Sequence, residues 1–346
     1  MNTSSLFTNT KASTEEFLAQ RLSDRKKAAS AIHPSYGALW ENIEHVTLAG
    51  GKRLRPSLTM IGFGSFSEEI LPIAAAQELL HTAMLMHDDI IDQDLIRHGQ
   101  ENISGIYTHK YGKWLSPLPA RHYADGSALL GGDLLISEAY HSIAQSGLEP
   151  AVITHLLEQL HASFFEVIGG ELMDVEAAFV QDTPYDPKTI YRYKTASYSF
   201  IRPLLAGATC AGADNTTLES LSAFGASAGI AFQLQDDLLG LFGDASKTGK
   251  STLTDLKEAK ATHLIAVHKK NMNAEMSERF LASFGKEEAS EADLEELKQD
   301  LIASGAKTAT EEEVVRYYTE ALQALKDLPQ KKLLEEFVEG MMGRRV

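Results

Sequence analysis

Over most of its length this chain repeats apolar side chains every three or four residues, as in Leu156, Leu160, Phe164 and Ile168. That period matches the turn of an α-helix, so each such segment carries an apolar stripe that must be buried against another helix. Alternating strand patterns are scarce, and the fold class expected is all-α. Breakers fall at Gly50-Gly51, Pro72, Ser116 to Gly126, Pro184 with Pro187, Gly212, and Gly243 to Ser251. Between them, Pro72 to Arg97 reads as one long helix opened by a proline in its first turn, and Thr216 to Leu241 as a second. Lys113 to Ala124, with Trp114 and two prolines, reads as an irregular insertion, and Gly285 to Gln299 as an acidic, solvated surface segment. No repeat or linker composition divides the chain. Residues 25–346 are therefore expected to form a single all-helical domain, preceded by a polar, partly disordered N-terminal segment over 1–24.

Charge narrows the ligands. With 48 acidic against 32 basic residues the formal net charge is -16, which disfavours nucleic acid or an anionic lipid surface as partner. Any anionic substrate must be captured locally, by clustered Lys and Arg or through metal ions. The lone cysteine, Cys210, excludes an intrachain disulfide and a cysteine-based zinc cluster, suits a reducing cytoplasm, and reads as a small buried side chain. Met1 to Ser13 lack the pattern of a secretory signal. No apolar run approaches the roughly 20 residues of a transmembrane helix, so a cytoplasmic, soluble protein is expected.

Two acidic pairs carry the chemistry. Asp88 and Asp92, in His87-Asp88-Asp89-Ile90-Ile91-Asp92, project from one face of the first long helix. Like charges at that spacing repel unless a cation is present, so a pair facing a cleft invites a divalent metal; a solvated acidic face is the bland alternative. The second long helix holds Gln233-Leu234-Gln235-Asp236-Asp237-Leu238-Leu239-Gly240, an acidic pair framed by apolar residues. Oxygen-only ligands favour magnesium, which bridges a few carboxylates to substrate phosphates. The basic counterpart is Gly50-Gly51-Lys52-Arg53-Leu54-Arg55-Pro56, with Arg97, His98, Lys194, Lys250 and Lys260 as further cations beside acidic or glycine-rich segments.

In order and spacing these landmarks, with Gly132-Asp133, Gly170-Glu171-Leu172-Met173-Asp174 and Lys194-Thr195, resemble the polyprenyl synthetase family, the trans-isoprenyl diphosphate synthases, over nearly the whole chain after about residue 25. The resemblance implies the isoprenoid synthase helical bundle around a central cavity, a homodimer, and a single prenyltransferase domain over 25–346. It implies a magnesium-dependent enzyme that joins isopentenyl diphosphate to an allylic diphosphate, giving geranylgeranyl diphosphate or a longer polyprenyl diphosphate. Asp88, Asp92 and Asp236 match the metal ligands, supported by Asp89 and Asp237, with three magnesium ions when substrate is bound. Arg97, Lys194 and Lys250 match positions that hold the allylic diphosphate, and Lys52, Arg55 and His81 those that hold isopentenyl diphosphate. His98 stands where a second arginine is usual, and Lys260 adds a further cation toward substrate. Lys194, Thr195 and Gln233 match residues that stabilise charge at the reacting centre.

Three positions depart from the family pattern: Gly240 replaces a third aspartate, with Asp244 a candidate helper; His98 replaces arginine; Glu171 replaces a common glutamine. Product length is expected to be set by Leu80, Ala83 and Met84, one and two turns before Asp88, where the small Ala83 leaves room for a tail of geranylgeranyl length or longer. Three rival readings bear on the same residues. A histidine-aspartate metal phosphohydrolase would use His87 and His81 beside Asp88 and leave the second acidic pair without a role. A regulatory or degenerate, non-catalytic subunit would account for Gly240 and His98 but not for the intact first motif. A terpene cyclase or squalene-type synthase would leave the pattern around Gly50 idle. The C-terminal Arg344-Arg345 reads as a frayed basic end.

Overall fold

A long alanine-rich helix, α4 (Leu71–Ile91), is the axis of one part of the computed structural model, which describes residues 3–97, 99–180, 186–243, 252–286, 288–325 and 328–343. Ile73, Ala74, Ala75, Ala76, Leu79, Leu80 and Ala83 on it are all buried, so it is apolar around most of its circumference, as a helix enclosed by others must be. The chain divides into two compact units, Met1–Leu160 with Ala206–Ala213, and His161–Leu205 with Asp214–Val346. The division falls inside the helix α7 (Pro150–Phe179) rather than in a linker, which is why composition marks no boundary there.

In the first unit α4 packs chiefly on α6 (Pro117–Ala144) and also meets α1 (Thr3–Ile32) and α3 (Leu54–Phe63). The N-terminal segment differs from the loose polar stretch expected over 1–24. Leu6, Leu18 and Leu22 are fully buried, and Arg21 and Arg25 tie α1 to Glu138 of α6 at 2.9 and 2.6 Å. Thr10 and Thr14, buried between Leu6 and Leu18, continue the stripe at about one-turn spacing. Next comes α2 (Pro34–Leu48), opened by His33, whose ring nitrogen accepts the Ser35 N–H. Only 112–116 separate α5 (Ile103–Tyr111) from α6; the prolines at 117 and 119 lie in the first turn of α6, where their missing N–H groups cost nothing, so the irregular insertion is shorter than expected.

The long helix expected to run to Arg97 stops at Ile91. Gln93 takes a left-handed backbone (φ 59°), and the chain turns back through a two-stranded hairpin, β1 (Ile96–Arg97) with β2 (Gln100–Glu101). Asn102 holds the reversal, its side chain donating to the Asp94 carbonyl and accepting the Gly105 N–H that starts α5.

The second unit is built around α10 (Asn215–Phe242), which matches the expected Thr216 to Leu241 within a residue at each end. It packs against a π-helix, Tyr191–Ile201, entered from the short α8 (Pro187–Ile190) and continued by α9 (Arg202–Cys210), which from Ala206 onward belongs to the first unit. Close approach is possible because Gly229 has no side chain: a Cβ there would lie 2.5 Å from Ala196 Cα and Cβ. The remaining helices are α11 (Thr254–Lys257), α12 (His263–Asn271), α13 (Ala274–Ser283), α14 (Glu291–Ala303), α15 (Ala306–Gln323) and α16 (Lys331–Met342). Here the solvated segment expected over 285–299 is corrected. Leu294, Leu297 and Leu301 give α14 an apolar stripe packed into a core with Leu238, Leu256, Leu264 and Phe280, and the acidic residues are its outer face. Among the described residues no helix is long and apolar enough to cross a membrane.

Two measurements check this packing. Gly229→Ala should lower unfolding stability by about 1–3 kcal/mol through overpacking against the π-helix, read from the denaturant midpoint. Burial pushes the half-buried Cys210 thiol up to about 12, so alkylation at pH 8 should run at least about 100-fold slower than for a free cysteine and accelerate as pH rises toward that value.

Candidate functional site

In the first unit the acidic motif closes α4. Carboxylates at a helix C-terminus face the negative end of the helix dipole and need a cation nearby. Arg97, brought back by the hairpin, provides one: Nε donates to Asp89 Oδ1 at 2.6 Å and Nη2 to Asp88 Oδ2 at 2.8 Å. Asp89 is buried, and burial pushes its carboxyl up to about 6 although Arg97 pulls the other way. Asp88 is half-buried, and Asp92, the residue that ends the helix, is exposed. His87 turns elsewhere. Its Nε2 lies 3.3 Å from the Leu129 carbonyl and 3.8 Å from Asp133, with the ring filling the space that a side chain at Gly132 would take. The imidazole is thus committed to α6, and the phosphohydrolase reading loses its first histidine ligand.

The loop before α3 needs left-handed backbone at Gly50 (φ 126°), Gly51 (φ 106°) and Arg53 (φ 49°). Arg53, a non-glycine residue in that region, is held by its side chain. It is buried and donates to Glu78 at 2.7 Å, Glu15 at 3.1 Å and the Thr47 carbonyl at 2.9 Å. Lys52 beside it is exposed and Arg55 half-buried. A cavity of about 720 Å³ borders the loop, but Lys11 and Lys26 there are outnumbered by Glu15, Glu41 and Glu44, so its walls give no net pull on an anion. His81 lies half-buried on α4, three residues after Glu78, and Leu80, Ala83 and Met84 are buried on the same helix.

In the second unit the π-helix carries Lys194 and Thr195. Its backbone passes so close to α7 that a Cβ at Gly170 would sit 2.3 Å from the Lys194 nitrogen. Lys194 Nζ bridges Glu171 at 3.1 Å and Asp174 at 2.5 Å, which gives the unusual Glu171 a partner. The Thr195 hydroxyl donates to Gln233 Oε1 at 2.8 Å, and Gln233 Nε2 donates to Asp237 Oδ1 at 2.9 Å. The Tyr191 hydroxyl donates to Asp237 Oδ2 in a short hydrogen bond and accepts the His263 N–H at 2.7 Å. The second aspartate pair is therefore split: Asp236 is exposed, while Asp237 is buried, and burial pushes its carboxyl up to about 8 against the pull of Tyr191 and Gln233.

Gly240 faces Asp255, whose Oδ2 would lie 2.9 Å from a Cβ at that position. Lys260 sits 3.3 Å from Asp255 and 3.1 Å from Glu258; burial opposes its charge, but these carboxylates raise its pKa. Lys250, His98, Asp244 and Arg344-Arg345 lie outside the described residues. Sequence reasoning counted Arg53 only as one of the basic loop's cations and gave no role to its partner Glu78, nor to Tyr191 or Asp255. The signal available for the first two was a glutamate inside an apolar helix, which requires a buried cation as partner.

The chain matches the polyprenyl synthetase family model over residues 37–301. It is 32% identical to the geranylgeranyl diphosphate synthase of Sulfolobus acidocaldarius over 320 residues, 89% of this chain and 91% of that protein. To the geranylfarnesyl diphosphate synthase of Aeropyrum pernix it is 30% identical, over 87% of this chain and 92% of that one. The crystal structure of geranylgeranyl pyrophosphate synthase from Corynebacterium glutamicum, complexed with isoprenyl diphosphate and magnesium, is similar with a TM-score of 0.87 at 27% identity, covering 96% of this chain and 99% of that one. On the family match over residues 37–301 and these relatives, the chain belongs to the polyprenyl synthetase family and is a trans-prenyltransferase that elongates isoprenyl diphosphates.

Proposed function

We propose that this enzyme condenses isopentenyl diphosphate with an allylic diphosphate, head to tail, to geranylgeranyl diphosphate or a longer polyprenyl diphosphate, as a magnesium-dependent homodimer. The observation that carries this reading is the cluster closing α4, where two carboxylates and a guanidinium meet within hydrogen-bond distance. Oxygen donors for a hard cation and a fork of phosphate-binding donors thus lie side by side.

The donor set fits magnesium. Asp88, Asp92 and Asp236 offer carboxylate oxygens only, and the half-buried to exposed positions of these three leave room for water and phosphate oxygens. When bound, the ions neutralise the charge that gathers on the departing diphosphate; we propose three of them with substrate present. The protein's own groups do the rest. Arg97 and Lys194, with Lys250, hold the allylic diphosphate, and Lys52, Arg55 and His81, with His98, hold isopentenyl diphosphate. Lys260 keeps Asp255 oriented beside Gly240, so a carboxylate is supplied where the motif lacks its third aspartate, which favours a catalytic over a degenerate chain. The allylic carbon–oxygen bond breaks, the isopentenyl double bond forms the new carbon–carbon bond, and the proton lost goes to the released diphosphate. Thr195 and Gln233 stabilise the transient cation.

Ala83, fully buried and five residues before Asp88, supports a long product, as do relatives that make geranylgeranyl and geranylfarnesyl diphosphates. The homodimer is supported by Leu118, Leu129 and Leu130, which stand exposed on α6 and which a second copy would cover.

The test is incubation of purified protein with isopentenyl diphosphate, magnesium and each allylic primer, followed by chromatography of the dephosphorylated products. Asp88→Ala and Asp236→Ala should each lower turnover at least about 100-fold, read from the initial rate of product formation. Ala83→Phe should shift the product to a shorter chain at similar turnover; an unchanged chain length would overturn the cavity-wall assignment.

A further inference from the structure

Asp237 receives hydrogen bonds on both oxygens, from the Tyr191 hydroxyl and from Gln233 Nε2, and it is buried. A carboxylate so enclosed does not serve a metal at the surface; it fixes the orientation of its donors. With Asp237 ionised, the direction of every link follows from chemistry. The His263 N–H can only donate, so the Tyr191 oxygen accepts it and sends its single proton to Asp237. Gln233 commits its amide nitrogen to Asp237 and must therefore present its carbonyl oxygen to Thr195. Thr195 spends its one hydroxyl proton on that carbonyl. Only lone pairs remain on the Thr195 oxygen, and these favour a cation and disfavour an anion.

From this geometry we infer that Tyr191 is a positioning residue, the buried anchor of a polarised hydrogen-bond relay running through Asp237 and Gln233 to Thr195. The relay joins the start of α12, the π-helix and α10 within one unit. The π-helix carries both Tyr191 and Thr195, four residues apart, to α10. The inference rests on the prenyltransferase reading of Thr195 and Gln233. It assigns Asp237 to orientation rather than to metal ligation.

Tyr191→Phe removes the hydroxyl and keeps the ring. Expected is a fall in kcat of about 10- to 100-fold, with KM for both diphosphates and the half-saturating magnesium concentration within about twofold of the parent. Asp237→Asn, of the same shape, introduces a donor where the relay needs an acceptor. It should give the same pattern, and the double variant should be no slower than Asp237→Asn alone. Parent-like kcat in Tyr191→Phe overturns the relay, as does a loss that appears in KM or in magnesium affinity, or one that merely follows the folded fraction by circular dichroism. A parent protein with no turnover on any allylic primer overturns instead the functional reading beneath it, and the relay's role with it.

Discussion

Crowded carboxylates at the end of a helix are the constraint from which much of the first unit follows. Asp88, Asp89 and Asp92 meet the negative end of the α4 dipole and one another, and a guanidinium hydrogen-bonded to a partly buried carboxylate contributes about 1.5–3 kcal/mol. To deliver Arg97 the chain must reverse direction within a few residues. The left-handed Gln93, the hairpin and the Asn102 cap accomplish that reversal. A straight helix to residue 97 would carry the arginine more than two turns beyond Asp88, out of reach of its carboxylate. The apparent irregularity after Ile91 is thus a requirement of charge neutralisation.

The second unit solves a related problem with neutral donors. Among the described residues Asp237 is held by a tyrosine hydroxyl and an amide, while Lys194 is shared between Glu171 and Asp174. Both arrangements depend on backbones approaching closely at Gly170 and Gly229. The π-helix is the local price of that approach, since its wider turn sets Lys194, Thr195 and Tyr191 at heights that a regular helix would not give.

Helix content, the two long helices and both acidic motifs were legible because they depend on a local period and a local spacing. Asp88 with Asp92 is readable as a face wherever the helix goes. What was not legible depends on partners distant in sequence. Nothing near residue 97 says that Arg97 returns to Asp89, and nothing near residue 191 says that its hydroxyl meets Asp237, 46 residues on. The segment over 285–299 was misread because its many acids outweigh three leucines whose burial only α10 to α13 reveal. Residues 1–24 were misread for the same reason, as Leu6, Leu18 and Leu22 have too few apolar neighbours in sequence to announce a buried stripe.

Gly240 shows why a motif is better judged by the groups that fill a space than by the letters in a row. Loss of an aspartate from a motif reads as loss of function when only the sequence of α10 is considered. In three dimensions the missing side chain leaves a gap, and the Asp255 carboxylate stands against it, held there by Lys260. A carboxylate at position 240 would collide with Asp255 in both volume and charge. Glycine at 240 and aspartate at 255 thus share one space, and an aspartate restored at 240 would have to displace the Asp255 side chain.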